Sequence, residues 1–267
     1  MYSHNLSAQE LYVRRQKHTK ILVRVLQYAI LISFLALWEL AAGLGWIDSF
    51  IFSSPSKLAH CCKTLLASGD LIGHIGITLL ETIVSFLLVI AFTLLVTVLL
   101  WLNRPLSKIL EPYLVVLNSL PKSALAPLLI VWLGANYKTI ILTGMSVAIF
   151  GSILNLYTGF METSPDKIKL IRALHGNTAH VLFKVVLPAN IPNLFSIMKV
   201  NIGLCLVGVI IGEFIGSKRG LGYMIIYGSQ VFKLDWVIMS IVILCILAWG
   251  LYSLITLLEK RYLKHFL

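Results

Sequence analysis

Ile75–Trp101 reads IGITLLETIVSFLLVIAFTLLVTVLLW, twenty-seven residues with a single ionisable side chain, Glu81. At about 1.5 Å of rise per residue, a helix of this length reaches roughly 40 Å, more than the roughly 30 Å of bilayer hydrocarbon. The stretch is therefore read as a membrane-spanning helix long enough to tilt. Working outward from it, five more segments are long and apolar enough: Val25–Leu44, Leu110–Leu133, Thr139–Phe160, Ile191–Ile215 and Trp236–Leu258. The Leu110–Leu133 segment is interrupted by Pro121 and Pro127. Hydrophobic residues are 58% of the 267, and charged residues 12%, against about 25% charged in a soluble domain. This excludes a soluble enzyme, a disordered chain and a nucleic-acid-binding domain. The expectation is an all-α integral membrane protein with six transmembrane helices. Its net charge of +11 then belongs at a membrane surface.

Positive charge sets the orientation, because cytoplasmic loops carry the excess of Lys and Arg. With the N-terminus inside, fourteen Lys and Arg fall on inner segments and six on outer ones. Both termini are therefore expected in the cytoplasm. Residues 1–24 read as a basic cytoplasmic segment with Arg14, Arg15, Lys17, Lys20 and Arg24. The apolar run that follows is longer than a signal-peptide core and lacks a small-residue cleavage site, so it reads as an uncleaved anchor. Residues 25–267 read as one transmembrane domain.

Two hydrophilic segments interrupt the spans. In the outer one, Gly45–His74, Ser54 is a candidate N-cap with Pro55 behind it, so an external helix is expected over about 55–68. The inner one, Met161–Pro188, is too long for a simple turn. Ser164-Pro165-Asp166 repeats the cap signature, and Asp166 suits the positive end of a helix dipole. Ile168, Ile171 and Leu174 recur on one face, while Lys167 and Arg172 point elsewhere. Asn177 or Thr178 is placed to cap a second short helix. Such a segment is read either as an interfacial helix on anionic lipid or as a docking site for a soluble partner.

The motifs of nucleotide and hydrolytic chemistry are missing. The chain has no GxxxxGK[ST], HExxH or GxSxG, and Gly216–Gly222 reads as a glycine-rich turn. The four cysteines have no metal-ligand spacing and read as reduced. Charges within the spans are more informative, because they usually face a bundle interior or a water-filled path. These are Glu39, Glu81, Lys122, Lys199 and Glu213. Pro121 removes a backbone donor and breaks the helical ladder, and broken helices are tolerated where they line a cavity or are buried. Asn118, Ser119, Lys122 and Ser123 cluster at that break. With Asn201 and Glu213 they form the candidate pathway set. The alternative is a structural ion pair of Lys122 with Glu81 or Glu213.

Five stretches stand out together: Trp38-Glu39-Leu40 with Pro55-Ser56, Arg104-Pro105-Leu106 through Glu111-Pro112, Leu120–Pro127, Leu182–Ala189 with Ile191-Pro192, and Gly212-Glu213-Phe214 through Gly220-Leu221-Gly222-Tyr223. In them the sequence resembles the membrane permease subunits of bacterial ATP-binding-cassette (ABC) importers, of the nitrate, sulfonate and taurine type. The family's loop signature, Glu-Ala-Ala followed after three residues by Gly, aligns on Lys169-Leu170-Ile171, with the glycine position on His175 and Gly176 beside it. The first half of that signature is thus degenerate here, and Lys169 reverses a charge.

The resemblance implies the type I importer permease fold, similar to the methionine permease, in a bacterial plasma membrane. It implies a second copy of this chain as a homodimeric partner, two cytoplasmic ATPase subunits that carry ATP and Mg, and an external solute-binding protein. It implies no enzymatic activity and no cofactor on this chain. It assigns ATPase docking to Asp166, Lys167, Lys169, Leu170, Ile171, Arg172, Ala173, Leu174, His175 and Gly176. The solute it implies is a small organic anion or zwitterion, such as a sulfonate, taurine or nitrate, or a vitamin precursor. An ion-gradient-driven secondary transporter is the alternative, against which the absence of clear inverted repeats argues. No filter-like motif supports a channel.

Overall fold

The computed structural model describes residues 8–266, with the side chains of 8–15, 18, 265 and 266 outside that description. Much of the basic N-terminal segment, including the Arg14 and Arg15 side chains, therefore lies outside the described residues. The described chain is helical: α1 Ala8–Gly43, α2 Pro55–Ala67, α3 Asp70–Leu102, α4 Arg104–Ser119, α5 Lys122–Leu133, α6 Tyr137–Met161, α7 Pro165–Ala173, α8 Thr178–Val181, α9 Leu187–Gly216, α10 Leu221–Gln230 and α11 Leu234–Phe266. It divides into two compact units, residues 1–63 and 64–267.

The helix expected over about 55–68 is present as α2, which begins in the first unit. Ser54 caps it, its Oγ accepting from Lys57 N at 3.3 Å. Glu39, near the end of α1, adds a second cap. Its carboxylate accepts from Ser56 N at 3.0 Å and from Ser56 Oγ at 2.6 Å. Two orphan donors at the start of α2 are thereby met, and Glu39 is committed to the protein rather than free to reach toward water.

In the second unit, four helices are single spans by length and composition: α3, α6, the continuous run Thr178–Gly216, and Leu234–Lys264. The expected third span is not one helix. It is α4 and α5, bent by 95° at the break between them. Pro121 forces the cause: the residue before a proline is pushed out of the helical region, and Leu120 is extended at φ −63°, ψ 141°. The helix also begins earlier than expected, at Arg104, because Asn103 Oδ1 accepts from Leu106 N at 3.2 Å and Pro105 fits the first turn. The fifth span is longer than the sequence suggested. Asn177 caps α8 in a reciprocal pair with His180, a π-helical turn follows over Leu182–Val186, and α9 continues from it. Pro188 and Pro192 sit within this run without ending it.

The centre of the unit is the packing of α3, α6 and α9. Inside a bilayer, lipid tails are as apolar as leucine, so helices associate through close packing and small side chains. On α3, Thr78, Thr82, Ser85, Val89, Thr93 and Thr97 are all buried, which makes one face of a very apolar helix small and polar. Ser85 Oγ lies 3.0 Å from Ile141 O on α6. Where α6 and α9 cross, a Cβ on Gly208 would stand 2.8 Å from Gly144 Cα, and a Cβ on Gly144 would stand 2.7 Å from Ser85 Oγ. These two glycines let three backbones converge.

Candidate functional site

The break between α4 and α5 opens onto a cavity of about 870 Å³ between α6 and α9. Of the expected pathway residues, Asn118, Lys122 and Asn201 line it. Ser119 and Ser123 do not: both are exposed, and Ser119 Oγ donates to Val115 O at 2.9 Å on its own helix. Lys122 folds back so that its ammonium donates to the carbonyl oxygen of Asn118, with Asn118 Oδ1 3.5 Å away. A cation at the last carbonyls of α4 suits the negative end of that helix. The expected alternative pairing of Lys122 with an acidic residue is not what the structure contains. An intramembrane ion pair is found instead at Lys199, whose Nζ lies 2.5 Å from Glu259 on α11.

Asparagine dominates the cavity wall, with Asn155, Asn190 and Asn193 adding to Asn118 and Asn201. The sequence reading passed over the first three of these. For Asn190 and Asn193 the signal was the spacing of α9, on which 190, 193, 197 and 201 share one helical face; Asn155, on α6, had no such signal. Asn201 is 3% exposed. Its Oδ1 is 2.8 Å from Ser152 Oγ, while its Nδ2 is buried without a partner. A buried amide donor left unspent at a cavity wall costs stability unless something there accepts from it. The cavity wall therefore sets one ammonium, Lys122, and five asparagines against one carboxylate at its edge, Glu162.

Glu213 does not line this cavity. It is buried near the end of α9, and its carboxylate binds the start of α10. Oε1 accepts from Thr78 Oγ1 at 2.7 Å and Oε2 from Gly222 N at 2.6 Å. Thr78 Oγ1 in turn accepts from Leu221 N at 2.8 Å, and Gly220 N donates to His74 Nδ1 at 2.9 Å. Gly220 has φ +108°, and a Cβ there would collide with the Glu213 carboxyl. The glycine-rich turn is thus shaped to bring backbone donors onto one buried carboxylate. Glu213 does for α10 what Glu39 does for α2.

The cavity reaches down to Glu162, Thr163 and Ser164, the residues from which α7 departs. On α7 the two faces separate. Ile168 and Ile171 pack against the buried cluster of Leu156, Phe160, Val181 and Val186. Lys167, Lys169, Leu170 and Arg172 are exposed, as are Ala173, Leu174 and His175 beyond them. Ile171 is therefore an inward anchor rather than part of the exposed surface. Asp166 and Lys169 form an exposed pair at 3.4 Å. Ser164 precedes Pro165 as expected, but its side chain makes no capping bond. The helix ends in a Schellman turn, with Gly176 N donating to Ile171 O and His175 N to Arg172 O. His175 occupies its left-handed position at φ +57°.

Taken together, an all-α membrane protein with a broken span, a polar cavity beside the break, and an exposed helix at the cavity's foot is a solute permease. Residues 90–264 match the family described as binding-protein-dependent transport system inner membrane component, and the chain belongs to that family. It is 28% identical to a putative aliphatic sulfonates transport permease protein of Bacillus subtilis, covering 86% of this chain and 83% of the relative. A probable ABC transporter permease protein of Haemophilus influenzae is 29% identical, covering 90% of this chain and 98% of the relative. Among solved structures, the inward-facing MetNI methionine ABC transporter is similar with TM-score 0.62 at 21% identity, over 73% of this chain and 95% of the neighbour. An amino acid ABC transporter is similar with TM-score 0.59 at 17% identity, over 75% of this chain and 97% of the neighbour. The fold is that of type I ABC importer permeases, and the chain is a multi-pass membrane permease subunit of an ATP-driven importer.

Proposed function

We propose that two copies of this chain enclose a pathway for a small organic anion or zwitterion, with the polar cavity between α6 and α9 as each copy's share. Two cytoplasmic ATPases, which carry ATP and Mg, dock on the exposed face of α7. An external binding protein delivers the solute. Both termini are cytoplasmic, in a bacterial plasma membrane. The observation that carries the reading is that one cavity is lined by the Lys122 side chain and by five asparagines, and ends where α7 begins. Donors outnumbering carboxylates suit an oxyanion. Relatives named for aliphatic sulfonates and for formylaminopyrimidine are consistent with a small polar solute. At the docking face, Leu170 and Leu174 supply apolar contact, and Lys167, Lys169 and Arg172 select an acidic partner surface.

Co-purification with the ATPase encoded beside this chain tests the docking reading. The double variant Lys169→Glu plus Arg172→Glu turns attraction into repulsion at exposed positions, and inside the protein it gives up the surface pair of Lys169 with Asp166. ATPase stimulation is expected to fall about tenfold or more, since like-charge contacts at an interface cost several kcal/mol. Unchanged stimulation contradicts docking on this face.

A further inference from the structure

The loop that carries α7 leaves the bundle at Thr163 and rejoins it in the π-helical turn Leu182–Val186, at the start of α9. One side chain joins the two ends. Asn190, 6% exposed, donates from Nδ2 to Thr163 Oγ1 at 3.0 Å and lies 2.9 Å from Val186 O. Thr163, 8% exposed, is the first residue beyond the α6 C-cap, and Val186 is the last of the π turn. Gly159, one turn back on α6, leaves the space that the Asn190 and Asn193 amides fill: a Cβ there would collide with Asn193 Nδ2 and stand 2.5 Å from Asn190 Oδ1. Both Asn190 and Thr163 also line the polar cavity.

From this geometry we propose that Asn190 is a positioning residue: a clasp that closes the base of the α7 loop and makes the loop and the cavity's foot one rigid piece. The inference rests on the docking reading above. A clasp of this kind has a mechanical reason. A loop of more than twenty residues on two separate stalks would let α7 move without moving the cavity. The bond from Asn190, on the cavity-lining α9, to Thr163 ties the stalks, and the local bond to Val186 one turn back holds the amide in place for it. Displacement of α7 then displaces the α6 and α9 walls together. The apolar seating of Ile168 and Ile171 against Leu156, Phe160 and Val186 holds α7 onto the same piece.

The test uses the complex with its ATPase, reconstituted in vesicles, and ATP with vanadate as the probe. A fluorophore on Ser196→Cys, an exposed position on the cavity wall, reports the cavity in a chain whose four native cysteines are replaced by alanine. The readout is the cavity signal per mole of trapped nucleotide. Thr163→Val keeps the shape and deletes the hydroxyl, and this ratio is expected to fall about fivefold, the equivalent of one buried hydrogen bond. Thr163→Ser restores the hydroxyl and the ratio. Gly159→Ala displaces the amide from the other side and lowers the ratio as Thr163→Val does. If Thr163→Val and Gly159→Ala both keep the unsubstituted ratio, or if Thr163→Ser falls as far as Thr163→Val, the clasp is overturned. Failure of the unsubstituted chain to support any trapping counts instead against the docking reading.

Discussion

At the scale of single residues, His175 shows how the sequence departs from a pattern and what the departure costs. The loop signature of the resemblance asks for glycine at this position. The structure explains why: it is the left-handed residue of a Schellman turn, φ +57°. A side chain with a Cβ is strained there, although histidine tolerates the region better than most. His175→Gly is expected to raise the thermal midpoint of the purified protein, by up to about 1 kcal/mol of stability, because the strain is removed at an exposed site. A lower midpoint would mean that the imidazole makes a contact worth more than the strain. The alignment placed the glycine on His175 from sequence alone. The reason for it was not legible there, because a positive φ is a property of the closed turn.

At the scale of elements, most of the helix starts were legible. Ser54-Pro55 marked α2, and Asn177 marked α8, because capping is local chemistry read within four residues. What was not legible were the contacts that bring distant residues together. Glu213 was placed among the pathway residues because an acid within a span usually faces a path. Its partners, Thr78 and Gly222, are known only once α3, α9 and α10 are packed. Pro121 was read as a break within one span. That the break turns the chain by 95° was not, since the angle depends on what the two halves pack against. Gly144 and Gly208 gave no signal at all beyond being small. For α10 the consequence is specific. Glu213→Gln keeps the shape but leaves an amide NH₂ against a donor, either Gly222 N–H or the Thr78 hydroxyl, whose oxygen already accepts from Leu221 N. A loss of about 1–3 kcal/mol is expected. Limited trypsin cleavage at the exposed Lys218 and Arg219 should accelerate as the start of α10 frays. An unchanged cleavage rate would mean that His74 and Thr78 hold the turn without the carboxylate.

At the scale of the whole molecule, hydropathy was decisive for class, and it could not say which polar residues share a cavity. Asn118, Lys122 and Asn201 were picked from sequence and meet at one wall. Ser119 and Ser123, their chain neighbours, face elsewhere, because successive residues on a helix point about 100° apart. Asn155, Asn190 and Asn193 were missed because an uncharged amide inside a span draws less attention than a charge. Yet five asparagines line the cavity, and one of them, Asn190, bonds Thr163 at the base of the loop. The cavity and the proposed docking helix stand on the same two helices, α6 and α9, so that force applied at α7 would reach the solute. The proposal turns on this chain moving solute by drawing on ATP through a partner. The most direct measurement is uptake of a radiolabelled aliphatic sulfonate into vesicles that hold this chain with its neighbouring ATPase and binding protein, with ionophores collapsing proton and sodium gradients. The account predicts uptake that requires ATP inside the ATPase-bearing compartment and persists when the gradients are gone. Uptake by this chain alone, abolished by ionophore and indifferent to ATP, would contradict it.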